Sequence, residues 1–500
     1  MISRINTLYL SEGDETMVYK IHMGPAKCAV DLGDGSERGE YVNQDYILHT
    51  LGRPHRAINL MYCYYPLDEG WPARASTLPT KGEVSYQWDY AYDDYFPYGG
   101  GLEGNTLGEP FTCMRDIRQH GQDVILTLTV DCGVSDEQLK RIAEDLRLFG
   151  RLQLRINHEA TGSWFAFSKR YSYQEVADFY VRFHKIIKQI APNIQTILCI
   201  GGAHTLPDGK MKYEDEFAEA IRVADIWSAD AYLSLHWGWP YDVAEPGGNS
   251  HKRELNEKTI RELNAEFARF MERGEHKKRP FLLSETNADG DVNGPYEQAE
   301  QVKDFYDRIP AELPNLTGIT MYQFRDRGRL GLEIEDPNNH HAGIPQPLLE
   351  TYKEIIAQPY FSPELTKCGE AQLPLPLRLR WGGSEDAEGL AIPITFEANP
   401  VFCEILFENN LKDLSFMVKI NGQWFYKKPG VTTVDLMSAF YKKPPPCGGE
   451  SPTGTVIDVL LFATPPEGVN DPAQGDDWDV NHYTQIETLP TFRIRYKPTL

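Results

Sequence analysis

Short apolar runs alternate with amphipathic stretches along the first two thirds of the chain. Eight runs rich in β-branched residues predict strands at residues 17–23, 57–64, 124–130, 152–157, 196–200, 226–235, 281–284 and 318–324. Between them, apolar residues recur at helical spacing and predict helices at residues 135–149, 172–190, 256–273, 297–309 and 348–357. Such repeated strand–helix alternation indicates an α/β fold, a (β/α)8 TIM barrel. The alternative, an open doubly wound sheet, would show a Gly-rich phosphate loop after a strand, and none follows.

The pattern changes after about residue 360. Pro and Gly become frequent, and short alternating runs at residues 391–396, 416–420 and 456–462 predict antiparallel strands of a small β-sandwich. We therefore expect a catalytic barrel at residues 1–357, a linker at 358–372 and an accessory sandwich at 373–500. Residues 65–110 form a long insertion rich in Tyr, Asp, Gly and Pro, and loops of that length are usually lids or binding walls.

Composition narrows the possible partners. The 500 residues include 50 Lys+Arg and 73 Asp+Glu, and the resulting charge of −23 disfavours binding to nucleic acid or to an anionic membrane. No run approaches the ~18 apolar residues of a membrane span. The eight Cys are scattered without a CxxC pair, so we expect neither a metal cluster nor a cofactor. The N-terminus lacks the apolar core of a signal peptide, which favours a cytoplasmic location, although a secreted mature form would look the same.

Two apolar runs end on a glutamate. The first segment reads Arg155-Ile156-Asn157-His158-Glu159-Ala160-Thr161-Gly162-Ser163-Trp164-Phe165, and the second reads Phe281-Leu282-Leu283-Ser284-Glu285-Thr286-Asn287. Between the two glutamates there is room for about three strand–helix units of ~40 residues. In one parallel barrel both carboxylates would lie at the carboxyl-terminal face, where barrel enzymes carry out their chemistry. Two carboxylates across a cleft are the groups that cleave a glycosidic bond, and we expect them about 5–5.5 Å apart, the spacing of retaining enzymes.

Arg155 precedes the first glutamate. Strand alternation predicts that Arg155, Asn157 and Glu159 share one face. An arginine facing into a barrel is costly unless a carboxylate pairs with it. We therefore expect Arg155 to pair with Glu285 and to hold that carboxylate ionised.

The first segment resembles the fourth-strand motif of the clan A glycoside hydrolases, and specifically that of the β-mannanases of family twenty-six. That family ends the strand in His-Glu and follows it with a glycine and an aromatic pair. The resemblance implies that Glu159 is the general acid/base and that Glu285, at the end of the seventh strand, is the nucleophile. Asp230-Ala231-Tyr232 resembles the clan's Asp-x-Tyr, which implies a hydrogen bond from Tyr232 to the nucleophile. The chain departs from the family at Asn157, where the family has a bulky aromatic residue.

Other polar and aromatic residues near strand ends or in loops are candidates for binding a sugar. Polar side chains hydrogen-bond sugar hydroxyls, and aromatic planes stack on the apolar faces of sugar rings. The candidates are Asn157, His158, Trp164, His22, Asp131, His204, His236, Trp237, Trp239, Tyr322 and Arg325. For the histidines the alternative is a wall position without ligand contact. Arg325 either binds an acidic sugar or, paired with Asp326 and Glu333, braces its loop.

These residues together predict a retaining glycoside hydrolase that acts on a β-linked glycan and resembles a mannanase or a glucanase. The alternatives are a non-catalytic glycan-binding barrel and an exo-acting β-glycosidase on oligosaccharides. An aldolase or a metal-dependent hydrolase would need a Schiff-base lysine or a His-x-His pair at a strand end, and the sequence has neither. The sugar, the linkage and the oligomeric state stay open.

Overall fold

A computed structural model of the chain describes residues 5–8, 18–33, 41–72, 95–162, 165–202, 215–234, 252–326, 328–339, 341–369, 375–381, 387–442, 454–465 and 483–496. Within these ranges the strands are β1 (Ile5–Leu8), β2 (Tyr19–Gly24), β3 (Ala29–Gly33), β4 (Ala57–Tyr64), β5 (Phe96–Pro97), β6 (Asp123–Val130), β7 (Leu152–Ile156), β8 (Ile194–Gly202), β9 (Ile226–Asp230), β10 (Phe281–Thr286), β11 (Leu316–Met321), β12 (Arg325–Asp326), β13 (Glu333–Glu335), β14 (Gly343–Pro345), β15 (Glu364–Cys368), β16 (Leu377–Arg380), β17 (Ala387–Phe396), β18 (Pro400–Leu406), β19 (Phe416–Ile420), β20 (Gln423–Lys427), β21 (Thr433–Asp435), β22 (Thr455–Ala463), β23 (Tyr483–Ile486) and β24 (Thr491–Tyr496).

The helices of the same ranges are α1 (Gln44–Leu51), α2 (Phe111–Gln119), α3 (Asp136–Arg147), α4 (Ala166–Arg170), α5 (Tyr173–Ile190), α6 (Ala218–Val223), α7 (Lys252–Arg273), α8 (Gly290–Asn293), α9 (Pro295–Glu312), α10 (Pro347–Ile356) and α11 (Ser438–Lys442). None of the helices in these described ranges is both long enough and apolar enough to cross a bilayer.

Eight parallel strands close a barrel. Their order is β3, β4, β6, β7, β8, β9, β10 and β11, and β11 pairs back onto β3. Strands such as β4 and β6 are buried along their whole length, as parallel strands covered by helices are. Because all eight run the same way, their carboxyl ends meet at one mouth. The predicted (β/α)8 barrel is confirmed.

The helices predicted between these strands are present. Ser135 and Ser172 cap α3 and α5, and in both caps the residue three positions on, Gln138 or Glu175, bonds back to the serine backbone. These reciprocal bonds satisfy backbone donors that a helix start leaves without partners. The helices α3 and α5 therefore begin at the residues where the polar pattern predicts them.

The predicted first barrel strand is wrong. Residues 17–23 overlap β2, which pairs antiparallel with β15 and β17 outside the barrel. The first barrel strand is β3, whose Asp31 is buried and forms an ion pair with Arg56. An acidic residue in a strand of five residues interrupts the apolar run by which strands are predicted. The burial of Asp31 depends on Arg56, a partner distant in sequence, so the hydrophobic pattern does not indicate it.

The accessory part is a β-sandwich, as predicted. One sheet has the strand order β15-β2-β17-β22-β19-β20 and the other β1-β24-β18-β21. Apolar side chains of both sheets, such as Leu390, Val418, Ile405 and Ile494, form one buried core. Strand β15 lies within residues 358–372, which the sequence predicts as a linker. The bounds of the two domains stay a prediction.

The sandwich contacts the barrel through α1 and the turn that follows it. Leu48 of α1 packs with Trp424 of β20, and the Trp424 backbone N–H donates to the Gly52 carbonyl at 3.3 Å. Gly52 precedes the amino end of β4, so this contact lies at the opposite end of the barrel from the mouth.

A buried lysine closes one end of the sandwich. The ammonium of Lys427 donates to the carbonyls of Leu411, Lys412 and Leu414, the first at 2.8 Å and the last at 2.6 Å. Lys427 is fully buried. Its three donors therefore satisfy three carbonyls of the loop between β18 and β19.

We predict that Lys427→Met lowers the free energy of unfolding by about 2 kcal/mol or more, because buried carbonyls lose their donor. Urea unfolding measures the change. Lys412→Met, at an exposed position nearby, is the matched control and should change stability by less than about 0.5 kcal/mol. Equal stability of the two variants would show that the Lys427 contacts contribute nothing.

Candidate active site

The chain after β7 leaves the strand geometry at once. Asn157 and Glu159 have φ angles of 44° and 45°, in the left-handed region, so the expectation that Arg155, Asn157 and Glu159 share one strand face is wrong. The Asn157 amide holds this turn against β6: its Oδ1 accepts from the Val130 N–H at 2.6 Å, and its Nδ2 donates to the Val130 carbonyl at 3.1 Å. Asn157 is therefore bound within the protein and anchors the loop that carries Glu159.

Arg155 joins two carboxylates inside the barrel. Its Nη2 donates to Glu285 Oε1 at 2.5 Å, and its Nη1 lies 3.2 Å from Asp230 Oδ1. The Nε donates to Thr127 on β6 at 2.8 Å. Burial alone would lower the pKa of Arg155, but the charges of Glu285 and Asp230 outweigh it and raise the pKa above the ordinary value. The ion pair predicted between Arg155 and Glu285 is present.

Glu285 is bound at both oxygens. Oε1 accepts from Arg155, and Oε2 accepts from the Tyr232 hydroxyl at 2.7 Å. Burial raises the pKa of Tyr232 well above its ordinary value, and the negative charges of Glu285, Asp230 and Glu159 raise it further, so the hydroxyl stays a donor. The contact expected between Tyr232 and Glu285 is present. Glu285 lies on β10 at the carboxyl-terminal mouth and is 5% exposed.

Asp230 ends β9 and completes the charged cluster. Its pKa is raised from 3.8 to about 8, mainly by burial and then by the Glu285 charge, and the Arg155 charge partly offsets both. The Cys199 thiol donates to Asp230 Oδ2 at 3.4 Å. One guanidinium thus serves two carboxylates, and burial favours the protonated form of Asp230.

His158 turns from the loop towards Glu285. Its Nε2 lies 3.8 Å from Glu285 Oε1 and 3.1 Å from the hydroxyl of Tyr95. Burial lowers the pKa of His158 well below its ordinary value, and the Arg155 charge lowers it further, so the ring is neutral. Phe165 packs edge-on against the ring. His158, the residue immediately before the left-handed turn at Glu159, therefore lies beside Glu285.

Asp131 and Tyr322 are two of the remaining candidates. Asp131 accepts from Tyr171 and Arg170 at 2.6 and 2.7 Å, and so joins the loop after β6 to α4. Tyr322 packs edge-on against Tyr232, with ring centroids 5.7 Å apart, and lines the mouth beside the glutamate. Trp164, His204, His236, Trp237 and Trp239 lie outside the described residues.

Two candidates have structural partners. Arg325 donates to Glu333 at 3.0 Å and lies over the Tyr46 ring, which agrees with the loop-bracing alternative. His22 lies on β2, paired in register with Thr366 and Glu388, and so belongs to the sandwich. Its expected place at the end of a barrel strand is therefore wrong.

Sequence reasoning missed three residues of the cluster as members of the site: Asp230, Cys199 and Tyr95. Asp230 carried a usable signal, because like Glu285 it is an acidic residue at the end of an apolar strand run. Tyr95 carried none, since it is one of many tyrosines in the chain. Only the folded chain brings it to His158.

No model of a known protein family matches the chain, and no curated protein matches it in sequence. Solved structures show some similarity to it. One is an endo-β-1,4-mannanase of glycoside hydrolase family 26 from Cellulomonas fimi, with 12% identity and a TM-score of 0.42 over 88% of this chain and 89% of that one. Another is a family 26 β-mannanase from Bacteroides ovatus, with 13% identity and a TM-score of 0.38 over 67% of this chain and 89% of that one. A third is a family 51 arabinofuranosidase from Xanthomonas axonopodis pv. citri, with 13% identity and a TM-score of 0.44 over 96% of this chain and 100% of that one. All three TM-scores are below 0.5, and the functional conclusion rests on the residues of the site.

The raised pKa of Asp230 predicts a pH-dependent stability. Between pH 3.8 and about 8 the folded protein holds a proton on Asp230 that the unfolded chain has lost, so the free energy of unfolding falls as the pH rises through this window. Asp230→Asn mimics the protonated form and lacks this fall. From about pH 5 to about pH 9, wild type should lose at least about 1.4 kcal/mol relative to the variant, the equivalent of one pKa unit.

Urea unfolding at both pH values measures this difference. Asp178→Asn, on the exposed face of α5, is the control and should keep the wild-type pH dependence. A constant difference between wild type and Asp230→Asn would mean that Asp230 does not titrate in this window.

Proposed function

We propose that the protein is a retaining glycoside hydrolase that cleaves a β-linked glycan at the mouth of its barrel. The observation that carries the proposal is the state of Glu285. One oxygen accepts from Arg155 and the other from Tyr232, both at 2.5–2.7 Å, in a pocket where the carboxylate is almost fully buried. Burying a carboxylate is costly unless its oxygens have partners, and two donors that satisfy both oxygens and fix their orientation are what a nucleophile needs.

In this proposal the second carboxylate is Glu159. It follows β7 as Glu285 ends β10, and its neighbour His158 contacts Glu285. Glu159 is only partly buried, so it has access to a leaving group that enters from the mouth. It would protonate the departing oxygen and later take a proton from water. The expected separation of about 5–5.5 Å leaves no room for a water behind C1, so Glu285 attacks C1 itself.

The reaction then has two steps. Glu285 displaces the protonated leaving group and forms a glycosyl ester, and water activated by Glu159 hydrolyses this ester. Two inversions at C1 give net retention. Arg155 and Tyr232 orient Glu285 for the first step and stabilise it as the leaving group of the second.

The alternatives separate by experiment. A non-catalytic glycan-binding barrel would bind glycans without releasing any product. An exo-acting β-glycosidase would release single sugars from chain ends, whereas an endo-acting enzyme would shorten the polymer rapidly. Incubation with mannans, glucans, xylans and galactans distinguishes these cases and identifies the sugar.

Glu159→Ala should slow hydrolysis of substrates with poor leaving groups by about 10²–10⁴-fold, because these need a general acid. Azide should restore turnover of an activated aryl glycoside and yield a β-glycosyl azide, since the small anion enters the space left by the side chain. Glu137→Ala, at an exposed position of α3, is the control and should keep wild-type activity. Full activity of Glu159→Ala would exclude Glu159 from the mechanism.

A 2-fluoro glycoside with a good leaving group should label Glu285, because fluorine slows the second step and the ester accumulates. Peptide mass spectrometry locates the label, and Glu285→Gln should neither be labelled nor hydrolyse glycosides. Proton NMR early in the reaction should show a product with the anomeric configuration of the substrate. An inverted first product would instead make Glu285 a general base.

A further inference from the structure

Tyr95 reaches the charged cluster from the end of the long insertion. It immediately precedes β5, which pairs with the carboxyl end of β4 and so lies at the mouth. The backbone here is fixed: the Tyr98 N–H donates to the Cys63 carbonyl at 2.8 Å, and the Cys63 thiol donates to the Tyr95 carbonyl at 3.3 Å. Tyr95 is 8% exposed, so its hydroxyl has a defined place beside His158.

The hydroxyl of Tyr95 and the carboxylate of Glu285 lie near the same nitrogen. His158 Nε2 is 3.1 Å from the Tyr95 oxygen and 3.8 Å from Glu285 Oε1. His158 Nδ1 is buried and has no hydrogen-bond partner among the described residues. The two ring nitrogens therefore differ. Nε2 faces two oxygens of the protein, whereas Nδ1 has no hydrogen-bond partner among the described residues.

A neutral imidazole carries one N–H, and its place follows from electrostatics. A bare lone pair on Nε2 would face the negative charge of Glu285 and be repelled, whereas an N–H there is attracted. The proton thus belongs on Nε2, and Nδ1 is an acceptor.

A hydrogen bond from Nε2–H to Glu285 would weaken this carboxylate as a nucleophile. Glu285 already accepts from Arg155 at Oε1 and from Tyr232 at Oε2. A third donor would hold further electron density on the carboxylate and make it less nucleophilic. In the structure the shorter contact of Nε2 is with Tyr95, so the phenol oxygen holds this donor away from Glu285.

We propose that Tyr95 is a positioning residue of the site: its oxygen accepts the Nε2–H of His158 and so keeps this donor off Glu285. The catalytic part of this inference rests on the proposed function. The assignment of the His158 proton does not.

Kinetics test the first part. Tyr95→Phe removes the acceptor, so Nε2–H turns to Glu285, and kcat for a poor-leaving-group substrate falls roughly three- to tenfold, as expected for one hydrogen bond, with KM little changed. Tyr98→Phe, the same change three residues on, loses a bond to Asp145 instead and should leave kcat unchanged. An equal loss in both variants would overturn the proposal.

A double-mutant cycle separates positioning from packing. His158→Phe keeps a ring at this position but has no N–H, so adding Tyr95→Phe to it should change kcat by less than about 1.5-fold. The same three- to tenfold loss in this background would mean that Tyr95 acts independently of His158 and would overturn the proposal.

The proton is located by NMR without any substrate. In protein labelled with ¹⁵N-histidine, the His158 signals are those that disappear in His158→Phe, and their couplings should place the proton on Nε2. A proton on Nδ1 overturns the proposal. If wild type hydrolyses no glycoside while the proton lies on Nε2, the proposed function has failed and the Tyr95–His158 contact still stands.

Discussion

The candidate site depends on one positive charge, the guanidinium of Arg155, which has no exposure to water. Two carboxylates, Glu285 and Asp230, converge on it, and both are almost completely buried. Thr127 and, through it, Asn59 fix the guanidinium from the neighbouring strands. The orientation of Glu285 therefore depends on hydrogen bonds between side chains inside the barrel as well as on its ion pair with Arg155. Loss of the arginine would leave two acidic groups buried and unpaired, at a cost that usually exceeds the value of the pair itself.

Physical constraints explain which parts of the site the sequence predicts. Parallel strands end at a common mouth, so acidic residues at strand ends meet, and a buried arginine requires a carboxylate. These two rules suffice for the Arg155–Glu285 pair. They do not extend past Ile156, because strand alternation holds only while the backbone stays extended. The left-handed turns at Asn157 and Glu159 reverse which side chain faces Glu285, and His158 takes that place.

The fold shows the same limit. Periodicity identifies strands and helices because it depends on neighbours along the chain, and most of the barrel elements follow from it. It does not say which sheet a strand joins. The run at residues 17–23 has the pattern of a strand, and β2 is one, but its partners lie hundreds of residues away. Asp31 interrupts the true first barrel strand, and its ion pair with Arg56 offsets part of the cost of its burial.

The pairing of β2 with β15 and β17, and of β1 with β24, has a consequence for biosynthesis. The ribosome releases β1 and β2 long before their partners, because the partners of β2 begin at residues 364 and 387. At about 5–20 residues per second, β2 waits roughly 20–70 s for them. During that time the side chains of Ile21 and Met23, buried in the finished protein, have no sheet to cover them. The barrel strands emerge in the interval and contain all the partners they need. The sandwich therefore closes after all eight barrel strands have been synthesised, and until then β2 is exposed to aggregation or to binding by a chaperone.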